Sequence, residues 1–337
     1  MRVAIIGAGR QGHRRAKAIV ELGDVITMVV DTDRTLARTL AETYEADYSS
    51  DWKEAIKDKD IDAIVVATPN DTHAEISIAA IGSGKHVLCE KPLARNPDEA
   101  KGVLAALKNS KSVFKCGFTL RHHPAISQAK EHISNGGIGK LMFMRARYGI
   151  TGRADYDKDW RANIAVSGGG ELMDQGQHII DLFRWFGGEI AEAFGYSETL
   201  SWDIRPAEDN AFALLRGEAG HICSLHASWS EWKNIFSLEV FGKDGYVKVE
   251  GLGGSYGPER LIIGKKDLTK PFNETITEFN GEDRSWMEEW KDFTSSVRQR
   301  TMPLGTAYDG WAAVKLAYAI YDSSRTGRSV KLKFNGE

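Results

Sequence analysis

The sequence predicts an α/β protein: a doubly wound parallel sheet of the Rossmann type, then an α+β domain with a large, open, mainly antiparallel sheet. Three observations carry this reading. Up to residue 118, short apolar strands alternate with helical stretches. A glycine-rich turn joins the first strand to the first helix. Beyond residue 120, strands of alternating polarity separated by tight turns take over. A chain of 337 residues exceeds one ordinary core, so two domains are expected, 1–120 and 121–337.

The elements follow in order. Val3–Ile6 is continuously apolar and reads as a strand, and Arg10–Leu22 is an amphipathic helix. Val25–Val30 is the second strand and Arg34–Tyr44 the second helix. Ile61–Ala67, rich in Ile and Val, is a strand, followed by helix from about His73 to Ile81. His86–Cys89 is strand, Pro97–Lys108 helix and Val113–Phe118 strand. Strands apolar on both faces belong in a parallel sheet covered by helices.

In the second region, a helix over Pro124–Ser134 ends at Asn135-Gly136-Gly137. Strands are expected at Leu141–Tyr148, Ile190–Tyr196, Ala211–Leu215, Ile222–Trp229, Phe236–Phe241 and Tyr246–Val249. Lys243-Asp244-Gly245 separates the last two, and Asp-Gly is a hairpin signal. Gly168-Gly169-Gly170 precedes a helix that stops at Gly187-Gly188. Helices at Ser285–Gln299 and Ala307–Ser323 come near the end.

Composition narrows the function classes. Hydrophobic content of 42% and charged content of 27% are those of a soluble globular protein. A net charge of −3, with Lys and Arg scattered, gives no electrostatic argument for nucleic acid or an anionic membrane. Cys89, Cys116 and Cys223 are widely spaced in apolar runs and form neither a disulfide framework nor a zinc site. The chain starts with a strand, without a signal peptide or a membrane-length apolar run, so a cytoplasmic setting is expected. No His-Glu-x-x-His or cysteine pair occurs, and His221 and His226, five apart on a strand, point to opposite faces. No metal site is expected.

Gly7-Ala8-Gly9-Arg10-Gln11-Gly12 follows the first strand and opens the first helix, which is the context a G-x-G-x-x-G loop requires. Gly7 permits the tight turn, Gly9 lets a pyrophosphate approach the backbone, and Gly12 lets helix and strand pack closely. The N–H groups at the helix start, from Arg10 and Gln11 onward, face the anion. Asp31 ends the second strand at the spacing expected for an acid that binds the adenosine ribose. A carboxylate there favours NAD over NADP. Arg34 could neutralise a 2′-phosphate, which keeps NADP as the alternative. Asp31-Thr32-Asp33 also reads as a helix N-cap cluster. Ala67-Thr68-Pro69-Asn70 breaks a strand at the sheet's carboxyl end, with His73 in the next turn, where the backbone would lie beside ribose and diphosphate.

Together with this loop, Thr68-Pro69-Asn70 with His73, and Gly84-Lys85-His86-Val87 with Cys89-Glu90-Lys91-Pro92, resemble the Gfo/Idh/MocA oxidoreductase family over essentially the whole chain. The resemblance implies a dinucleotide-binding domain followed by a substrate-binding, oligomerising one. It implies that Lys91 is the active-site lysine at the nicotinamide and that Glu90 contacts the cofactor. The Lys–Pro bond is often cis in that family. The family's second motif matches Gly168-Gly169-Gly170 with Asp174 and His178, four apart on one helical face with Asp181 three further on. This implies that Asp174 and His178 meet Lys91 across the domain cleft. Asp159-Trp160-Arg161 resembles a segment near nicotinamide and substrate. Arg121-His122-His123-Pro124 opens the second domain toward the cleft, although His122 stands where the family usually has an aromatic residue.

The expected activity is that of a nicotinamide-dependent dehydrogenase acting on a secondary alcohol of a pyranose, sugar nucleotide or cyclitol. His178 is favoured as the base with Lys91 assisting, and Lys91, Arg121, Arg161, Asp174 and His178 are the expected substrate contacts. Loops 150–167 and 251–258 are expected to shape the pocket. Two alternatives stand beside this: a glycosidase working through transient oxidation, and a non-catalytic cofactor-sensing regulator. The exposed face of the second sheet predicts a homodimer or homotetramer.

Overall fold

The computed structural model describes residues 1–152, 154–270 and 273–334. Arg153, in a loop expected to border the substrate, lies outside the described residues, as do residues 335–337 at the end of the expected second domain. The chain falls into two compact units: Met1–Thr119 with Arg284–Val314, and Leu120–Asp283 with the chain from Lys315 onward.

The first unit contains β1 (Arg2–Ile6), α1 (Arg10–Glu21), β2 (Val25–Val30), α2 (Arg34–Thr43), β3 (Asp47–Ser49), α3 (Trp52–Lys57), β4 (Ala63–Val66), α4 (His73–Gly82), β5 (His86–Glu90), α5 (Pro97–Leu107) and β6 (Phe114–Gly117). The six strands form one parallel sheet in the order β3-β2-β1-β4-β5-β6. The chain winds outward from β1 to β3 and returns to β4, so the order reverses between β1 and β4. At such a switch point the loops at the strands' carboxyl ends part and leave a crevice. The glycine loop after β1 and the Thr68 turn after β4 are the two loops that border it.

The second unit begins with α6 (Pro124–Ser134), β7 (Leu141–Gly149), the single turn α7 (Ile164–Ser167) and α8 (Glu171–Gly187). It continues through β8 (Ile190–Glu198), β9 (Asn210–Gly217), β10 (Ile222–Ser228), β11 (Ile235–Gly242), β12 (Gly245–Glu250), β13 (Glu259–Lys265) and β14 (Glu274–Phe279). After α9 (Ser285–Gln299) and α10 (Ala307–Thr326) comes β15 (Val330–Lys331). Nine strands run in the order β14-β13-β12-β11-β7-β10-β9-β8-β15. Every pairing is antiparallel except β7 with β10. One face is covered by α8, which packs on β7, β9 and β10. Met144, Ala146 and Tyr148 of β7 and Cys223, Leu225 and Ala227 of β10 are buried on that face. The opposite face carries Arg145 and Arg147 together with Phe143, Phe241 and Tyr246, whose rings stack at 4.8 and 4.9 Å.

Two features depart from the sequence reading. The domain division is not a single cut, because α9 and the start of α10 belong to the first unit. Trp290 and Phe293 of α9 pack in one core with Val3, Ile5, Leu40 and Leu88. Each large side chain buried this way contributes roughly 1.5–3 kcal/mol relative to exposure. Trp290 Nε1 also donates to Asp24 Oδ2 at 2.8 Å. The helix is legible from its spacing, but nothing in that spacing says which core receives it. The short elements β3, α3, α7 and β15, the strand β13 and the edge strand β14 go beyond the sequence reading. β14 is exposed along nearly its whole length, so its composition carries no burial signal.

The start of α8 is fixed by a residue far along the chain. Glu208 Oε2 accepts from Gly170 N–H at 2.8 Å, and its Oε1 accepts from Leu172 N–H at 2.9 Å and from the Tyr321 hydroxyl at 2.8 Å. These are N–H groups that a helix leaves without intrahelical partners, and a carboxylate answers them well. A Cβ on Gly170 would lie 1.9 Å from the Glu208 carbonyl oxygen. Gly170→Ala is therefore expected to destabilise the protein by about 1–3 kcal/mol in chemical denaturation. An alanine variant as stable as the parent would show that the start of α8 is free to shift.

Candidate active site

The glycine loop is built as tightly as its motif demands at two positions and left open at the third. Gly7 has φ +104°, and a Cβ there would meet the Ala67 carbonyl oxygen at 2.4 Å. A Cβ on Gly12 would meet the Gly7 carbonyl oxygen at 2.1 Å. Gly7 thus presses the loop against the Thr68 turn, and Gly12 presses α1 against the loop. A Cβ on Gly9 would meet nothing within 4 Å. The protein leaves that side clear where a diphosphate has to approach the first N–H groups of α1. The cradle fits a dinucleotide.

Asp31 and Asp33 divide the roles suggested for their cluster. Asp33 caps α2, accepting from Thr35 N–H at 2.8 Å. Asp31 holds the glycine loop: Oδ2 accepts from Ala8 N–H at 2.7 Å and Oδ1 from Asp33 N–H at 2.9 Å. Each oxygen keeps a lone pair for a ribose hydroxyl. Arg34 is exposed, with its guanidinium 5.5 Å from the Tyr48 ring centre. Arg10 is exposed and Gln11 half-buried at the start of α1.

At the end of β5, Lys91 is half-buried and precedes a cis bond to Pro92. Glu90 is buried, and its Oε1 accepts from Arg15 Nε at 2.7 Å, deep in the unit. Arg15 Nη1 also donates to Glu289 Oε2 at 2.6 Å, and the Thr119 hydroxyl donates to that same oxygen at 2.8 Å. Arg15 and Glu289 are completely buried. Burial alone would lower the guanidinium's pKa, but Glu289 and Glu90 outweigh it and hold the charge more firmly than usual.

His73 lies beside the same bend. Its Nδ1 lies 2.7 Å from the Pro92 carbonyl oxygen and its Nε2 lies 2.9 Å from that of Thr68. Both nitrogens face acceptors, so both donate and the ring is an imidazolium. It clamps the Thr68 turn to the Lys91–Pro92 bend. Thr68 is tied in further by the Thr72 hydroxyl at 2.7 Å, and Asn70 is buried one turn before His73.

In the second unit, α8 presents Asp174 and His178 one turn apart. Arg161 Nε lies 3.3 Å from Asp174 Oδ2, and its Nη1 lies 3.2 Å from Asp159 Oδ1. Trp160 completes the cluster, with the Arg161 guanidinium 4.4 Å from its ring centre. Burial opposes the Arg161 charge, but Asp174 and Asp159 more than compensate and raise its pKa. His178 is buried, its ring 5.9 Å from that of Tyr148. The structure therefore gathers Trp160, Arg161, Asp174 and His178 on one face of α8.

Arg121 is also tied to α8. Its Nε and Nη2 donate to the two oxygens of Asp181 at 2.8 and 2.6 Å in a buried bidentate pair. This pair fastens the start of the unit to α8. The neighbouring His123 is similarly occupied, 2.9 Å from Glu259 Oε2.

Sequence reasoning missed Arg15, Glu289, Glu208, Tyr148 and Tyr256. For Tyr148 a signal existed: Met144, Ala146 and Tyr148 occupy the inward positions of a strand whose outward positions are Arg145 and Arg147. The others act through distant partners that no local pattern reveals.

A parallel six-stranded sheet with a glycine cradle, joined to an α+β unit with an open sheet, defines a dinucleotide-dependent oxidoreductase of two-domain type. Residues 1–118 match the oxidoreductase family Gfo/Idh/MocA, NAD-binding Rossmann fold, and residues 126–248 match that family's C-terminal domain. The chain belongs to the Gfo/Idh/MocA family. Myo-inositol 2-dehydrogenase of Thermotoga maritima is 29% identical, with 99% of each chain covered. Levoglucosan dehydrogenase of Pseudarthrobacter phenanthrenivorans is 37% identical over 175 residues, 50% of this chain and 44% of that protein. A solved levoglucosan dehydrogenase in complex with NADH and levoglucosan superimposes with a TM-score of 0.89 at 25% identity, covering 99% of each chain. The family, fold class, NAD cofactor and dehydrogenase class expected from the sequence are borne out. No group of three or more potential metal ligands occurs among the described residues. No helix there is long and apolar enough to cross a membrane.

The His73 clamp has a pH signature. Burial lowers its pKa, but the Cys89 sulfur and the carbonyls of Pro92 and Thr68 raise it further, to about 9. The folded value exceeds the ordinary 6.5, so the stabilisation is complete below about pH 6.5 and is lost as pH rises through about 9. The linked energy is on the order of 3 kcal/mol. The stability gap between the parent and His73→Leu should narrow between those pH values in urea titrations. A gap constant across that range would sink the imidazolium assignment.

Proposed function

We propose that the protein oxidises a secondary alcohol of a pyranose sugar, sugar nucleotide or cyclitol, or reduces the corresponding ketone, with NAD as hydride partner. The observation that carries this reading is Lys91, held at the carboxyl end of β5, two strands from β1 in the NAD-binding sheet. Open α/β sheets place their ligands at those carboxyl ends. The relatives named above are dehydrogenases of a sugar and of an inositol, which supports the substrate class.

NAD supplies the acceptor for the hydride that leaves the substrate carbon. The protein's own work is with the proton. His178 accepts it from the substrate hydroxyl, since an imidazole exchanges protons readily near neutrality. Lys91, as an ammonium, stabilises the alkoxide charge that develops meanwhile. Asp174 orients the imidazole or a neighbouring substrate hydroxyl, and Arg161 keeps Asp174 ionised and in place. Asp31 favours NAD over NADP by repelling a 2′-phosphate.

Lys91→Ala and His178→Ala are each expected to lower kcat by about 10²–10⁴-fold while NADH affinity, read by fluorescence, changes little. Full activity in either variant would remove that residue from the chemistry. The substrate screen should use levoglucosan, myo-inositol, D-glucosides and sugar nucleotides, following NADH by the absorbance of its reduced nicotinamide. Glycoside cleavage without accumulating NADH would favour transient oxidation and a hydrolase instead.

We also propose a homodimer or homotetramer formed through the open face of the nine-stranded sheet. Tyr196, Phe212 and Leu214 are 54%, 43% and 57% exposed there, beside the Phe143–Phe241–Tyr246 stack. A face this apolar is normally covered. Light scattering should give a multiple of the chain mass, and a monomer at micromolar concentration would contradict the assignment.

A further inference from the structure

Between β12 and β13 the chain runs through Gly251, Gly253, Gly254 and Gly257, whose φ angles are +68°, +76°, +54° and +80°. Such a backbone suits glycine at each of these positions. The segment closes on itself: Gly253 N–H donates to the Gly257 carbonyl at 2.9 Å, and Tyr256 N–H to the Gly253 carbonyl at 3.1 Å. Asn234 Nδ2 holds its tip, donating to Ser255 Oγ at 2.7 Å. A Cβ on Gly253, Gly254 or Gly257 would meet nothing within 4 Å, so this loop has room around it. Its one aromatic side chain, Tyr256, is only half-buried.

Tyr256 is directed at the face that carries Asp174 and His178. Its ring centre lies 5.5 Å from that of Tyr148, which in turn lies 5.9 Å from the His178 ring and 5.3 Å, edge-on, from Phe236. Tyr148 is buried. Its phenol is coupled to the Tyr256 hydroxyl and to the charges of Asp174 and Glu171. Burial first, then Tyr256 and the two carboxylates, hold the Tyr148 phenol protonated well above its ordinary range. A phenylalanine would fill this position and pack on Phe236 without bringing a hydroxyl that burial obliges to find a partner. The hydroxyl therefore serves something other than packing.

We propose that Tyr256 contacts the substrate and that Tyr148 positions it, the two hydroxyls forming the specificity-determining polar edge of a polyol subsite beside His178 and Asp174. Two phenols, a carboxylate and an imidazole offer the donors and acceptors that a polyhydroxylated ring needs. The half-buried Tyr256 ring offers an apolar face to the substrate's C–H groups. The inference rests on the dehydrogenase reading and sharpens it: the ligand carries a hydroxyl adjacent to the carbon that is oxidised.

The test uses the full-length enzyme with NAD and the best substrate of the screen above. Tyr256→Phe should raise KM roughly tenfold with kcat little changed, because a hydroxyl contact to the bound ring is lost. Tyr148→Phe should lower kcat roughly tenfold and displace the pH midpoint of kcat, an effect that a packing role would not produce. Both variants keep the aromatic ring, and an unchanged melting temperature controls for folding. Wild-type turnover with KM, kcat and pH midpoint unaltered in both variants would overturn the inference and leave the dehydrogenase reading standing. An effect at Tyr256 alone would overturn the pairing. A wild-type enzyme that reduces NAD with no sugar or cyclitol would overturn the dehydrogenase reading itself, and the subsite with it.

Discussion

The first unit is organised around one buried guanidinium. Arg15 lies on α1, about one turn past Gly12 of the glycine loop, and reaches Glu90 at the end of β5 and Glu289 on α9. A charge removed from water has to be paired and hydrogen-bonded to persist. Arg15 meets that demand only if three segments far apart in sequence hold their places together. The helix that opens at the cofactor loop, the strand that ends at Lys91 and a helix contributed by the last fifth of the chain are thereby locked to one another. Trp286 covers the guanidinium at 4.5 Å. The position of Lys91 is thus set from below, through the residue that precedes it. His73 holds the same bend from beyond, through the Pro92 carbonyl.

The second unit solves its own version of this problem with a carboxylate. Glu208 brings three donors to one buried side chain and so fixes where α8 begins. Burial raises its pKa more than these hydrogen bonds lower it, which shows how little solvent reaches the helix start. Once α8 begins at a fixed point, the directions of Asp174 and His178 follow from helix geometry. Arg121 on Asp181 pins the middle of the same helix. Arg161 reaches Asp174 from a loop, and its contact with Asp159 fixes its own direction.

Most of the fold was legible because it depends on local pattern. The five main strands of the parallel sheet, its long helices and the glycine loop are set by apolar periodicity and by steric demands at Gly7 and Gly12. The site was legible only in part. Lys91, Asp174 and His178 sit in motifs whose context could be checked within a few residues. Glu90, His73 and Arg121 occupy equally suggestive places, yet each turned inward. Their partners, Arg15, the Pro92 and Thr68 carbonyls, and Asp181, are defined by tertiary structure. Arg15 and Glu289 are 274 positions apart, and no reading of spacing connects them. The sequence reading left α9 with the second domain for the same reason, since amphipathic spacing marks a buried face without naming its partner.

Charged residues near a site therefore divide by a single physical criterion, which is whether the surrounding protein already satisfies them. Arg121 has its Nε–Nη2 edge matched by the Asp181 carboxylate, and His73 has both nitrogens matched by carbonyls. Such groups are stable where they are, and a ligand would have to break strong, desolvated bonds to recruit them. Asp31 differs, because each oxygen accepts a single backbone bond and keeps capacity. Lys91 and Asp174 are half-buried, so each remains within reach of solvent and of a ligand. The enclosed groups hold the scaffold around them. This division also explains why residues that looked equally functional in the sequence came to such different ends in the fold.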